Sequence, residues 1–167
     1  MPTRIVTARL VLEALTTDEA AAIRAGDRTG RCWSADYPSE GDRVVAAVVG
    51  EAGDQYDEAA ALGPLQIRLA GSCEAVGGVG FLSAPDADGV AEIGYGLVES
   101  VRGLGYATEA VSAVIGWAAA HGVSAVEAMA DPGNTASHHV LERCGFEHVG
   151  EIDADEGRLL RWVRRLR

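Results

Sequence analysis

Residues 101–110 read VRGLGYATEA. Two glycines, an arginine and a threonine stand where an extended stretch gives way to a helical one. The first N–H groups of a helix have no internal partners, and they carry the positive end of its dipole. Gly103 and Gly105 let the backbone approach a bulky anion, with φ > 0 where the turn needs it. Ala107 keeps the path clear and Thr108 adds a hydroxyl. Such a turn suits a phosphate or pyrophosphate. Three readings compete at this point. A dinucleotide-binding G-x-G-x-x-G wants a third glycine where Thr108 stands, and repeated βαβ units around it. A P-loop wants G-K-[ST], but all 14 basic residues are arginine, which removes a Schiff-base lysine as well. A plain strand–turn–helix without ligand is the third.

The elements around the loop follow from periodicity and punctuation. Residues 5–15 read as one strand. Thr17 and Asp18 can cap a helix through Ala20–Ala25. Residues 26–41 are a Gly/Asp/Ser/Pro loop holding Trp33 and Tyr37. Residues 42–50 look helical, and 53–63 are an acidic turn region. Strands at 65–69, 75–82 and 90–98, with short connections, favour an antiparallel meander. A long helix spans 106–121 and ends at Gly122. A strand at 124–130, a helix at 135–144 and a closing strand pair at 146–152 and 159–166 complete the chain. The expected fold is a single α+β domain (mixed α/β) over 1–167. Its central, mostly antiparallel sheet has about seven strands, with helices flanking it.

Composition narrows the function. The 167 residues suit one domain with a sizeable core. No run of about 20 apolar residues suggests a membrane span, and residues 1–10 lack a signal-peptide pattern, so the expected compartment is cytoplasmic. A formal charge of −11 argues against a nucleic-acid partner. It is compatible with a cationic substrate or with simple solubility. Cys32, Cys73 and Cys144 lack metal-ligand spacing and read as reduced, mostly core residues; no metal is expected.

A wider pattern joins these pieces. The sequence [Q/R]-x-x-G-x-[G/A] is met by Arg102, Gly105 and Ala107. It follows Glu92-Ile93-Gly94-Tyr95-Gly96-Leu97-Val98, and it precedes Asn134-Thr135-Ala136-Ser137 and Leu141-Glu142-Arg143-Cys144-Gly145-Phe146. Together these resemble the GNAT superfamily of acetyl-CoA-dependent N-acetyltransferases. Thr7-Ala8-Arg9-Leu10-Val11-Leu12 is similar to the first strand of its ribosomal-protein N-terminal (RimJ/RimL-type) branch. The resemblance covers essentially the whole chain and is strongest from 90 to 150.

It implies a sheet splayed between the fourth and fifth strands, with the arm of acetyl-CoA in the wedge. Arg102, Gly103, Leu104, Gly105, Tyr106, Ala107 and Thr108 would hold the pyrophosphate. Leu97 and Val98 would offer backbone groups to the arm, and Asn134 and Arg143 would contact the cosubstrate. Trp33, Tyr37 and His139 are candidate acceptor contacts. Many relatives carry a thiolate-protonating tyrosine seven positions after the asparagine, where Leu141 stands here; the branch uses a serine instead, and Ser137 matches it.

Amine attack on a thioester needs a neutral amine, and an α-amine loses its proton far more cheaply at neutral pH than a lysine does. Glu92 is the candidate base, directly or through water. Strand alternation puts Glu92 on one face with Gly94 and Gly96, which leave room for a substrate. The implied function is acetyl transfer to a primary amine by direct attack, the acceptor being a protein N-terminal α-amine. The alternatives are a small-molecule amine (antibiotic, polyamine or amino acid) as acceptor, or a non-catalytic acyl-CoA sensor. A homodimer is a further expectation.

Overall fold

A computed structural model describes all residues, Met1–Arg167. Eight strands form one sheet in the order β1-β2-β3-β4-β5-β6-β8-β7. They are β1 Arg4–Val6, β2 Leu10–Ala14, β3 Leu65–Leu69, β4 Ala75–Phe81, β5 Val90–Leu97, β6 Ala125–Ala130, β7 Glu147–Ala154 and β8 Gly157–Arg165. Four helices flank it: α1 Thr17–Ala25, α2 Glu40–Ala52, α3 Tyr106–Ala120 and α4 Thr135–Arg143. No helix is long and apolar enough to cross a membrane.

The mixed α/β expectation holds, with one strand more than predicted. The stretch expected as a single strand over 5–15 is a hairpin, β1–β2. Thr7 makes the turn: its N–H donates to the Leu10 carbonyl, and its hydroxyl accepts the Leu10 N–H at 3.0 Å. A Ser/Thr side chain that bonds its own backbone in this way favours a turn over a continuous strand. The cap of α1 also moves by a residue. Thr16, not Thr17 or Asp18, accepts the Glu19 N–H. Helix α2 begins at Glu40 behind a capping box between Ser39 and Asp42.

The sheet divides where the resemblance implies. Strands β5 and β6 are parallel and pair only over Val90↔Ala125, Ala91↔Val126 and Glu92↔Glu127. Beyond Glu92 they part. These are the fourth and fifth strands of the seven-strand expectation, renumbered by the extra hairpin. Helix α3 buries Ala110, Val111, Val114, Ile115 and Ala118 on one side of the sheet. Helix α2 covers the other side of β4 and β5.

Two cysteines depart from the core assignment. Cys144 is buried, but Cys73 is exposed and Cys32 half-buried. Their sulfurs face each other at 2.8 Å across the start of β4. The hydrogen bond from Cys73, together with burial, pushes the Cys32 thiol pKa up. Hydropathy alone does not separate a cysteine in a turn from one in a core.

Candidate active site

The Arg102–Gly105 loop is exposed, and Gly103 and Gly105 take φ of 78° and 84°. That left-handed region costs an L-residue about 1–2 kcal/mol, so glycine is required at both. Gly105 is the N-cap of α3, and no side chain caps it. The N–H groups from Gly103 to Thr108 therefore find no acceptor within the protein. Uncommitted backbone donors at a helix start form an anion cradle.

A brace from the β1–β2 hairpin holds this loop. Glu109 accepts from the Thr7 hydroxyl at 2.6 Å, the Arg9 N–H at 2.8 Å and the Arg9 Nε at 2.7 Å. Arg9 Nη1 donates to the Leu104 carbonyl at 2.8 Å, and its guanidinium lies 4.5 Å from the Tyr106 ring centroid. Burial alone would raise the Glu109 pKa, but the hydroxyl of Thr7 and the guanidinium of Arg9 outweigh it and hold it down. Glu109 also lies in the first turn of α3, where a carboxylate suits the helix dipole. Its partners lie 100 and 102 residues away, so no local spacing signals them.

The edge of β5 facing the split offers backbone groups. Glu92 and Val98 bond toward β4: the Glu92 carbonyl accepts from Leu82, and the Val98 N–H donates to Val76. Antiparallel alternation therefore turns the backbone of Tyr95 and Leu97 toward the split. The Leu97 carbonyl accepts from Arg102 Nε at 3.1 Å, which ties the loop to the strand. The Val98 N–H is engaged by the sheet, and Tyr95 and Leu97 are the residues whose backbone turns toward the split.

Glu92 sits on the last β5–β6 pair, beside Glu127. No hydrogen bond engages its carboxylate. Burial first, then the neighbouring Glu127, pushes its pKa up. Glu127 is itself bonded by Arg161 Nε and Nη2, each at 2.9 Å.

Ser137 Oγ lies 2.6 Å from the Tyr95 hydroxyl. Burial raises the Tyr95 pKa, so its proton stays available for donation. The fold makes Tyr95 and Ser137 one hydrogen-bonded pair. Asn134 caps α4, its side chain accepting the Ser137 N–H at 3.1 Å. Arg143 is exposed in the last turn of α4.

On the α2 side of the sheet lies a cavity of about 530 Å³. Its floor is bare because four glycines face each other across β4 and β5: Gly78↔Gly96 and Gly80↔Gly94. Val45 and Val49 of α2 line it. Val44, Val48 and Leu82 line it too and remain 58%, 60% and 61% exposed, which makes an apolar rim. Of the three expected acceptor contacts only Tyr37 lines this cavity. Trp33 is buried against Tyr37, and its indole donates to Glu19 at 3.1 Å, so it packs as core. His139 is exposed on α4, outside the cavity.

A mixed sheet that splits beside a helix start with free N–H groups is a fold built to take a ligand with an anionic group. The Acetyltransferase (GNAT) domain model matches residues 9–147, and the chain belongs to that family. It is 42% identical over 74 residues to the Uncharacterized N-acetyltransferase YjdG of Bacillus subtilis (strain 168), and this match spans 44% of each protein. Two solved structures share the whole fold. RimL, a ribosomal alpha-N-protein acetyltransferase in complex with coenzyme A, aligns with TM-score 0.72, 20% identity and 98% of both chains. RimJ of Mycobacterium smegmatis aligns with TM-score 0.70 and 22% identity over 98% of this chain and 88% of its own.

Proposed function

We propose that this N-acetyltransferase moves the acetyl group of acetyl-CoA directly to a primary amine held in the α2-side cavity. The observation that carries the reading is the split between β5 and β6, bordered by the uncommitted N–H groups of 103–108 on one side and opening beside a bare-floored cavity on the other. The residues fit the cosubstrate. The Gly103–Thr108 backbone suits its pyrophosphate, with Arg102 nearby, and the split-facing backbone of Tyr95 and Leu97 suits its amide arm. Asn134 and Arg143, at the two ends of α4, are the further proposed contacts of the cosubstrate.

In this reading the amine nitrogen attacks the thioester carbon. A C–N bond forms and the C–S bond breaks. The proton leaving nitrogen goes to Glu92, whose raised pKa suits a base better than that of an ordinary carboxylate. The departing thiolate takes a proton from the Tyr95–Ser137 pair. The Leu97 N–H supplies a donor for the carbonyl oxygen as it gains charge. No nucleophile is needed to carry the acetyl group, and Cys144 is buried, its sulfur against Ser112 and the Thr108 carbonyl.

The acceptor is an amine on an apolar body. A protein N-terminal α-amine is one such acceptor, suggested by the RimJ/RimL-like neighbours. The apolar rim favours a compact small amine equally. The test follows free thiol release with both acceptor classes and records initial velocities at several concentrations of each substrate. Intersecting double-reciprocal lines and acetylated product are expected. Parallel lines would overturn direct transfer. Tight acetyl-CoA binding without acetylation of any amine would make the protein a sensor.

A further inference from the structure

Asp42 stands out among the cavity residues. It is 93% buried, being only 7% exposed, and it is the one charged residue of the lining; no arginine, lysine or histidine faces it there. Its Oδ2 accepts from the Ser39 N–H at 2.9 Å and the Ser39 hydroxyl at 2.7 Å, closing the capping box. Its Oδ1 accepts from nothing. That oxygen lies over the bare Gly78, where an added Cβ would stand 2.9 Å from it. Burial raises its pKa, and the Ser39 bonds and the exposed neighbour Arg43 offset this only in part; a buried carboxylate with a free oxygen and no ion pair is costly unless a partner arrives. The lining around it is mostly apolar, its polar side chains Ser39, Tyr37, Tyr56, Gln66 and Tyr95 are neutral, and none of them bonds Oδ1, so a cationic partner comes with a ligand.

Asp42 is also placed too far from the split to meet the reacting nitrogen. Gly78 pairs with Gly96 of β5, and the split lies on the far side of β5. Two strand spacings make this about 10 Å. We infer that Asp42 Oδ1 is a specificity anchor for a second ammonium group on the acceptor, so that the substrate class is a bifunctional amine: a reacting primary amine and a second cationic nitrogen about 10 Å away, joined by an apolar chain. This inference rests on the acetyl-transfer reading for the position of the reacting nitrogen; the anchor itself rests on the cavity.

The test is calorimetric binding to the CoA-loaded protein, with heptane-1,7-diamine, 7-aminoheptan-1-ol and heptylamine as ligands. The diamine is expected to bind about 100-fold more tightly than heptylamine, with the amino alcohol between them. Asp42→Asn, which keeps an acceptor oxygen for the cap, is expected to erase the preference of the diamine over heptylamine. A second pair, Ala-Lys-amide and Ala-norleucine-amide, separates sources. A preference confined to the peptide pair assigns the second ammonium to a peptide side chain, and one confined to the diamine assigns a small molecule. Equal binding within both pairs, seen on the wild-type protein alone, overturns the inference. Turnover is read separately: acetylation of heptylamine with no diamine preference leaves the transferase reading standing and removes the anchor.

Discussion

At the residue scale, the proposed transfer rests on Glu92, Ser137 and Tyr95. Glu92 has a pKa raised by burial and by Glu127, so it is a base only above that raised value. Turnover is expected to rise with pH through it. Glu92→Gln is expected to lower kcat/KM about 100-fold and to flatten that limb of the pH profile. The same shift carries a stability sign. A carboxylate whose pKa is raised on folding adds stability below its unfolded value near 4.5, and that contribution is lost as pH rises through the folded value. Denaturant titration should therefore find Glu92→Gln more stable than wild type at pH 7, with the advantage gone at pH 4. Ser137→Ala is expected to slow turnover about tenfold with little change in acetyl-CoA affinity, because Tyr95 still donates. The double variant with Tyr95→Phe should lose about 100-fold. Unchanged turnover in the double variant would remove the pair from the chemistry.

At the scale of elements, the loop is only as good as what holds it. The β1–β2 turn reaches across to the first turn of α3 through Thr7, Arg9 and Glu109. Arg9→Met is expected to weaken acetyl-CoA binding several-fold, about 1 kcal/mol, while kcat at saturating cosubstrate stays near wild type. A matched fall in kcat would show that the brace also positions the reacting groups. Helices α3 and α4 and the β3–β5 meander were legible in the sequence because apolar period and glycine stops mark them. The Gly103–Thr108 turn was legible from its two glycines. The brace was not, since Arg9 and Glu109 meet only through the fold. The cavity was half legible. Gly94 and Gly96 announced a bare strand face, but their partners Gly78 and Gly80 emerge only from the β4–β5 register. Asp42 was hidden for a similar reason. It reads as an ordinary helix-start acid, and its capping bonds to Ser39 use one oxygen while the other points into the cavity.

At the scale of the whole molecule, the proposed reaction brings two substrates of opposite charge to a protein of net charge −11. Its field opposes the anionic cosubstrate and attracts a cationic acceptor. Raising salt shortens the reach of that field to about 8 Å at physiological ionic strength. Acetyl-CoA affinity is expected to hold or improve with salt, because its binding rests on short backbone contacts. The kcat/KM for a diamine acceptor is expected to fall, and that for heptylamine to fall less. Equal salt dependence for both amines would detach the charge from acceptor choice. All of this depends on acetyl-CoA occupying the split through the α3 start. Calorimetric titration of the wild type and of Gly105→Glu with acetyl-CoA tests that most directly. Gly105 takes φ of 84° with Arg9 against it, so a glutamate there both strains the turn and sets a negative charge at the cradle. Micromolar binding by the wild type, abolished in a variant that remains folded by circular dichroism, is the predicted result. Binding that survives unchanged in the variant, or is absent from the wild type, would contradict the account.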